Sequence, residues 1–395
     1  MASRLPRALK VSPMCRTLST VSTSRTSTQT HLPSLAIIDD YLNTSAPHFG
    51  HISPAQLKIT VYNDTIVPTN DVEAARLVER LRPFDMISCI RERTAFPGTL
   101  LRQLPNLKLL LATGTQFEMF DLPAARDLGI AVVSAPGLGR VDKGGPARPN
   151  IKKGSMHPTT QHTWALILAL ARNVAIDDAA MKAGVGWQSG LATGLPGLTL
   201  GTVGLGRLGA AVARVAHLAW GMSVVCWSEN LTQTKADEMA VAVGLPPDGG
   251  SDGGKTFRVV SKEELFSSSD VVSMHYVLSD RSRHIVAERE LDRMKPSALL
   301  VNTARSALID QKALLRTLEQ GKIRGAALDV YDVEPLPLSS PWRRSRYWGV
   351  DGRSMLLTTP HMGYVDEGLM NTWYAETVEN VERWIDGKEV LHRLV

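Results

Sequence analysis

Short apolar runs alternate with longer amphipathic stretches along most of this 395-residue chain. The first part of the chain contains five runs that predict strands: LAIIDD at 35–40, KITVYND at 58–64, DMISCI at 85–90, LKLLLAT at 107–113 and IAVVSA at 130–135. Helices are predicted between them, at 71–81, 98–104 and 121–128. Because strands that alternate with helices run parallel, the pattern predicts a parallel sheet with helices on both faces.

A second unit with the same alternation begins at Leu198, where LTLGTV predicts a strand. Its later strands are predicted at 222–228, 270–276, 298–304 and 325–331. Between the units lie a glycine- and proline-rich segment, which predicts a surface loop, and a single helix at 160–175. This helix is apolar on nearly all sides, so we expect it to be buried. The chain ends in one long amphipathic helix at 368–386, and the fold class is α/β with two doubly wound parallel-sheet domains.

The turn GLGRLG follows the strand LTLGTV and opens a predicted helix, and it matches G-x-G-x-x-G at Gly204, Gly206 and Gly209. Gly204 permits a tight turn, Gly206 lets the backbone approach a pyrophosphate, and Gly209 lets the helix pack closely on the strand. The pyrophosphate lies on the amides of the helix N-terminus in such a site, and Arg207 and Leu208 belong to the same turn. A purely structural turn is the alternative, but the strand–turn–helix context favours a Rossmann domain that binds a dinucleotide.

The end of the next strand is where an acid would bind the adenosine ribose. Ser228 occupies that position, followed by Glu229, so the acid is missing or displaced by one residue. No arginine replaces it there, although Arg207 is close by in the turn. NAD and NADP are therefore both compatible with the sequence.

Three candidates for catalysis follow successive strands of the second unit: Arg305 in VNTAR, Glu334 in LDVYDVEP and His361 in TTPHMGY. Arginine binds a carboxylate through two hydrogen bonds and can polarise a neighbouring carbonyl. Histidine can donate a proton to the carbonyl oxygen, and a neighbouring carboxylate can orient its ring. Each residue alone has a structural explanation, but the carboxyl ends of parallel strands meet in one ligand crevice. Together they indicate a dehydrogenase.

The chain resembles the D-isomer-specific 2-hydroxyacid dehydrogenase family, and its fungal members in particular, from about residue 35 to the C-terminus. The matching motifs are LPNLKLLLATG, TWALILALARNV, LGTVGLGRLG, VNTAR, GAALDVYDVEPLP and TPHMGY. The resemblance implies that Arg305 binds the substrate carboxylate and carbonyl, that His361 is the acid/base, and that Glu334 is its partner. It also implies a nicotinamide side lined by Thr303, Ala304 and Asp329. The amides at Gly114 and Thr115 are expected to hold the substrate carboxylate.

The expected domains are a substrate-binding domain of residues 32–158 and 362–395, with an NAD(P)-binding Rossmann domain of residues 159–361 inserted in it. The expected reaction moves a hydride between a nicotinamide cofactor and a 2-oxo or D-2-hydroxy acid whose side chain the sequence leaves open. Three local departures from the family pattern concern the substrate: Ser306 after the arginine, Gln116 with Phe117 in the substrate loop, and Gln161 in place of an acid. Two insertions are unusual, at 138–156 and 341–353.

The net charge of +5 comes from residues 1–31, which carry five basic side chains and no acid. A global attraction to nucleic acid is therefore not supported, and no apolar run is long enough to span a membrane. The same segment is rich in serine and threonine, which is typical of a mitochondrial transit peptide; a disordered tail on a cytoplasmic protein is the alternative. The three cysteines have no metal or disulfide spacing, and we expect no metal.

The assembly is expected to be a homodimer. A different class of function is a dinucleotide-sensing scaffold, because some relatives of this family act as transcriptional corepressors. The N-terminal segment argues against that function, since its composition resembles an organelle address.

Overall fold

The computed structural model describes residues 31–115, 117–142, 157–250, 253–344 and 347–395. Within them, the first sheet has the strands β1 Ser34–Ile37, β2 Lys58–Val61, β3 Met86–Cys89, β4 Leu109–Thr113 and β5 Ala131–Ala135. They pair in parallel in the order β2-β1-β3-β4-β5. The connecting helices are α1 Ala46–Phe49, α2 Asp71–Leu81, α3 Gly98–Leu101 and α4 Leu122–Asp127. The strand order reverses beside β1 and β3, so ligands are expected at their carboxyl ends.

The helix predicted at 160–175 is two helices, α5 Pro158–Ala171 and α6 Val174–Lys182, so the prediction of one helix was wrong. The break lies at Asn173, whose φ of 58° is left-handed. Asparagine tolerates this conformation, and a single left-handed residue ends a helix. α5 is largely buried, as predicted, whereas α6 has no buried residue and runs over the surface.

The second sheet has the strands β6 Thr199–Val203, β7 Ser223–Trp227, β8 Arg258–Val259, β9 Val271–Met274, β10 Leu299–Asn302, β11 Gly325–Leu328 and β12 Met355–Thr358. Its order is β12-β11-β10-β9-β6-β7-β8, and its strands pair in parallel. The helices that follow its strands are α7 Arg207–Trp220, α8 Gln233–Ala242, α9 Lys262–Ser268, α10 Glu288–Leu291 and α11 Gln311–Glu319. Apolar clusters cover both faces of each sheet, which confirms the doubly wound architecture.

The C-terminal helix, α12 Glu367–Ile385, packs on β4 and β5, so the chain returns to the first sheet. The helix was expected to be amphipathic, yet residues 372–381 are all buried. The reason is that two of its acids reach the loop after β5: Glu376 accepts hydrogen bonds from the amides of Gly137 and Gly139, and Glu379 accepts one from Val141 (2.8 Å). The polar side of the helix is therefore covered by backbone rather than by solvent. The domain boundaries at 158 and 361 stay predictions.

Several predictions fall on residues outside the described ranges. The proposed transit segment lies there up to residue 30, and so does the first insertion from residue 143 to 156. In the second insertion, Arg344 pairs with Glu319 (3.1 Å) and Arg353 with Asp351 (2.5 Å), so these arginines serve local structure. Of the helices that the structure describes, none is long and apolar enough to cross a membrane, and the same residues contain no cluster of potential metal ligands.

Candidate active site

In the glycine turn after β6, the first and last glycines have no room for a side chain, whereas the middle one does. Gly204 has a φ of 95°, and a Cβ there would lie 2.7 Å from the carbonyl oxygen of His275. A Cβ on Gly209 would collide with the carbonyl oxygen of Gly204. By contrast, a Cβ on Gly206 would meet no atom within 4 Å. The protein itself therefore needs glycine at 204 and 209, whereas the space at Gly206 is left for a ligand.

The N-terminus of α7 faces that space. Gly206 is its N-cap and, within the part of the chain that the structure describes, the helix has no side-chain cap. Arg207 is exposed at the first helical position, and Leu208 is partly buried behind it. Free amides and the positive end of the helix dipole attract an anion. The turn thus fits the pyrophosphate of a dinucleotide.

The structure places Ser228 directly after β7, as predicted, and partly buried. Glu229 is exposed, and its amide donates a hydrogen bond to the Tyr276 hydroxyl (3.3 Å). Tyr276 in turn stacks on Trp227, with ring centroids 6.0 Å apart. A neutral serine therefore occupies the end of the strand where a ribose-binding acid is expected.

The three candidate catalytic residues converge at the carboxyl ends of β10, β11 and β12. Nδ1 of His361 lies 2.6 Å from Oε2 of Glu334. The other carboxylate oxygen of Glu334 accepts a hydrogen bond from the amide of Tyr331 (2.9 Å). His361 is 7% exposed, so the ring is almost enclosed. This pairing leaves Nε2 as the ring nitrogen that can meet a substrate.

Arg305 follows β10 and reaches into the same space. Its Nη1 donates a hydrogen bond to the carbonyl of Ala304 (2.8 Å). The side chain of Asn302 binds the carbonyl of Arg305 and the amide of Ala304, both at 3.0 Å, which fixes the bend at the strand end. The hydroxyl of Thr303 lies 2.7 Å from that of Thr163 on α5. These contacts hold the nicotinamide-side residues predicted at 303 and 304 in one rigid turn.

Asp329 holds the turn that carries His361. Its carboxylate accepts hydrogen bonds from the Thr359 hydroxyl (2.5 Å) and from the amides of Met362 (2.9 Å) and Gly363 (3.0 Å), and lies 3.2 Å from the His162 ring. Burial alone would raise the pKa of Asp329, but these donors lower it. Asp329 is 1% exposed, so the contacts that the structure gives it are internal. Its predicted contact with the nicotinamide stays a prediction.

The amide of Gly114 itself bonds to a neighbouring strand. Gly114, after β4, has a φ of 81°, and its amide donates a hydrogen bond to the carbonyl of Ala135 (2.8 Å). That amide is therefore engaged within the sheet, and contact of the amides near Gly114 with a substrate carboxylate stays a prediction. Thr115 is exposed beyond it, and contact of this loop with a substrate stays a prediction.

Residues 91–93, at the carboxyl end of β3, were missed from the sequence. Oε1 of Glu92 lies 2.8 Å from Nη2 of Arg305 and 3.8 Å from Nε2 of His361. Arg93 donates to Oε2 of Glu334 (3.2 Å) and to the carbonyl of His361 (2.9 Å). The signal was a charged triplet, RER, directly after an apolar strand at the ligand edge of a parallel sheet.

Burial alone would raise the pKa of Glu92, but the positive charges of Arg91, Arg305 and His361 lower it to about 2. The pKa of His157, at the start of α5, is also shifted by neighbouring positive charges. Burial, together with Arg207 and Arg91, lowers the pKa of His157 to about 4. Positive charges therefore lie close to both groups, which suits an anionic cofactor and an anionic substrate.

Comparison with known proteins identifies the family to which this chain belongs. Residues 164–363, half of the chain, match the model of the D-isomer specific 2-hydroxyacid dehydrogenase, NAD binding domain. The chain belongs to that family. The matched region contains the glycine turn and all three candidate catalytic residues. NAD is therefore the cofactor that the second sheet binds.

Relatives of this 2-hydroxyacid dehydrogenase family member include two archaeal glyoxylate reductases. That of Aeropyrum pernix is 34% identical over 250 residues, which are 61% of this chain and 65% of that protein. That of Thermococcus litoralis is 31% identical over 287 residues, 70% of this chain and 75% of that protein. The solved structure of a phosphoglycerate oxidoreductase from Vibrio cholerae has a TM-score of 0.72 and 31% identity, and covers 90% of this chain and 99% of that one. All three are named as oxidoreductases of 2-oxo or 2-hydroxy acids, and none as a transcriptional scaffold.

Proposed function

We propose that this protein reduces small 2-oxo acids to D-2-hydroxy acids with NADH and catalyses the reverse reaction with NAD. The observation that carries the proposal is the convergence of Arg305 with the His361–Glu334 pair, 2.6 Å between Nδ1 and Oε2, at the ligand edge of the NAD-binding sheet. NADPH is expected to be used as well, because Ser228 lacks the charge that repels a ribose phosphate.

Each residue then has a defined task. Arg305 binds the substrate carboxylate and draws electron density from the neighbouring carbonyl. Nε2 of His361 donates a proton to the carbonyl oxygen during reduction and accepts it during oxidation. Glu334 stabilises the protonated ring and fixes its orientation through Nδ1. The bound nicotinamide supplies or accepts the hydride.

The test is consumption of NADH by the purified protein with glyoxylate, hydroxypyruvate and pyruvate. The matched control is His361→Asn, which keeps a polar side chain at the position but has no titratable nitrogen. We expect turnover with at least one acid, and a kcat lower by about 10²- to 10⁴-fold in the variant. Absence of turnover with every acid, or an equally active variant, contradicts the proposal.

We further propose a substrate of the size of glyoxylate or hydroxypyruvate. Support comes from the two glyoxylate reductases named above. The likeness to fungal members stays a prediction, because the relatives named above come from archaea and bacteria.

A homodimer is also proposed. α6 and the segment after it expose large apolar side chains, with Trp187 82% and Leu191 89% exposed, and such patches commonly mark interfaces. Analytical ultracentrifugation of the wild type, of Trp187→Glu and of the control Leu218→Glu on α7 tests this. A wild type that sediments as a monomer would be incompatible with a dimer.

Import into mitochondria is proposed from the composition of residues 1–31. A fluorescent reporter fused to these residues should accumulate in mitochondria, whereas a reporter in which the five basic residues are replaced by glutamine should not. A diffuse cytosolic signal from the unaltered fusion would favour the cytoplasmic alternative. A protein that begins at Leu32 should fold and turn over normally in either case.

A further inference from the structure

The carboxylate of Glu92 lies between the two groups that are expected to handle the substrate. Its Oε1 is 2.8 Å from Nη2 of Arg305 and 3.8 Å from Nε2 of His361. Glu92 belongs to the first sheet, and both partners belong to the second. An anion of this chain is thus already present where an anionic substrate has to bind.

Arg305 has fewer free N–H groups for a substrate carboxylate while this contact persists. Its Nη1 is engaged with the carbonyl of Ala304, and its Nη2 with Glu92. A carboxylate that accepts two parallel N–H bonds from a guanidinium uses two neighbouring nitrogens. A substrate and Glu92 therefore compete for Nη2.

The same carboxylate lies on the approach to His361. Nδ1 is paired with Glu334, so Nε2 is the nitrogen that has to reach the carbonyl oxygen of the substrate. Oε1 of Glu92 is the acidic oxygen near Nε2. One displacement of Glu92 would therefore open both the carboxylate-binding arginine and the proton donor.

Of the two carboxylate oxygens of Glu92, Oε2 is hydrogen-bonded to a residue of the described ranges and Oε1 is not. Its Oε2 accepts a hydrogen bond from Nε of Arg91 (3.1 Å). Its Oε1 is buried and close to Arg305, yet no N–H among the described residues is aligned with it as a hydrogen bond. A pKa of about 2 keeps the group ionised at any working pH, so it cannot act as a proton donor. Its geometry is that of an ion pair that can exchange partners.

We propose that Glu92 is a resident anion in the substrate-carboxylate position, and that a 2-oxo acid binds by displacing it from Arg305. This inference rests on the proposed function. The displaced carboxylate keeps its bond to Arg91, whose guanidinium is itself fixed over the ring of Tyr364 at 4.6 Å. In the absence of substrate the pair neutralises Arg305, and in its presence the substrate has to outcompete a tethered carboxylate.

The first test is Glu92→Gln, which keeps the shape and removes the charge. The control is Glu79→Gln, the same change at an exposed position of α2. We expect the KM for glyoxylate to fall by about tenfold in Glu92→Gln, the factor for loss of one charge-assisted contact, with a smaller change in kcat. The dissociation constant of oxalate, an unreactive carboxylate, should fall equally in calorimetric titrations. Unchanged or weaker binding in Glu92→Gln, with a normal control, overturns the inference.

The second test needs no variant. Crystals of the wild type with NADH are compared with and without oxalate. Displacement predicts that Oε1 of Glu92 leaves Nη2 of Arg305 when oxalate is bound and keeps its contact with Arg91. An intact Glu92–Arg305 pair beside bound oxalate refutes the inference. A wild type that turns over no 2-oxo acid refutes the proposed function instead, and the oxalate crystals still report on Glu92.

Discussion

The carboxyl ends of the two sheets face the same cleft with different kinds of side chain. The edge of the second sheet carries Arg305, Glu334 and His361, each tied to its own sheet or to a neighbouring turn. The edge of the first sheet carries residues 91–93, whose carboxylate and guanidinium groups bind those very side chains. The second edge therefore supplies the reacting groups, and the first supplies the charges that hold or occupy them. The following predictions test this division.

The largest effect is expected at Arg305. Arg305→Ala removes the carboxylate-binding group, and kcat/KM for a 2-oxo acid should fall by roughly 150-fold or more. This factor corresponds to a loss of about 3 kcal/mol in transition-state stabilisation. Arg305→Lys keeps the charge but not the planar fork, so it should recover only part of this loss. Steady-state kinetics measure both, and near-normal turnover by the alanine variant would sink the assignment.

A smaller effect is expected at Gly206 and Gly209. The first is predicted to leave space for a ligand, and the second to be needed for packing. Gly209→Ala should lower the free energy of unfolding by about 3 kcal/mol, because its Cβ meets the Gly204 carbonyl. Gly206→Ala should cost about 1 kcal/mol or less, since its Cβ meets no protein atom, yet weaken NADH binding about tenfold. Denaturant unfolding and NADH fluorescence titration distinguish the two. Equal NADH affinity in Gly206→Ala would mean that the pyrophosphate lies elsewhere.

Arg93 tests whether the first edge holds the second. Arg93→Met keeps the length of the side chain but removes its bonds to Glu334 and to the carbonyl of His361. We expect kcat to fall about tenfold or more, with a smaller change in KM. Arg80→Met is the control, because Arg80 also pairs with an acid and lies over a tyrosine ring, but its partners Asp64 and Tyr62 are not residues of the candidate site. A normal kcat in Arg93→Met would show that Glu334 and His361 are positioned without help from the first sheet.

Asp329→Asn probes the turn that carries His361. The folded pKa of Asp329 lies below its value of about 3.9 in the unfolded chain. Its carboxylate therefore stabilises the fold above about pH 4, and that contribution is lost as the pH falls through the folded pKa. The variant should be less stable than the wild type by about 2 kcal/mol at neutral pH, and the difference should shrink in acid. Unfolding at pH 7 and pH 3 measures it; a difference that does not change with pH would mean that charge at Asp329 is unimportant.

The smallest effect concerns cofactor choice. Wild-type discrimination between NADH and NADPH should stay below about a thousandfold, because Ser228 does not repel a phosphate. Ser228→Asp should raise the preference for NADH about tenfold through charge repulsion. Ser228→Asn is the neutral control. The measurement is the ratio of kcat/KM for NADH to kcat/KM for NADPH in each protein. A strong wild-type preference for NADH would show that another group excludes the ribose phosphate.

Much of the fold could be predicted because buried parallel strands leave continuous apolar runs in the sequence. The β10 and β11 strands and the residues that follow them are examples. The glycine turn was equally readable, since Gly204 takes a positive φ that favours glycine and Gly209 packs against the carbonyl of Gly204 within the same turn. Local sequence determines these features, so local pattern is sufficient to find them.

Most of what the sequence did not reveal depends on distant partners. Glu92 looks like a solvated acid after a strand until Arg305 and His361 approach it from the other sheet. Glu376 looks like the polar side of an amphipathic helix until the loop after β5 covers it. Asn173 breaks a helix through its own left-handed backbone, which an apolar flanking pattern conceals. In each case, a contact or a dihedral angle changes the meaning of an unremarkable residue.

The position of Arg93 has a consequence for when the proton donor is complete. The imidazole of His361 belongs to one half of the molecule, yet the arginine that braces both its backbone and its carboxylate partner belongs to the other. The donor is therefore braced from both halves of the molecule, although its histidine–carboxylate pair lies within one of them. We expect Arg93 to position the imidazole fully only while the two halves are in contact, so this contact sets how well the proton donor is placed.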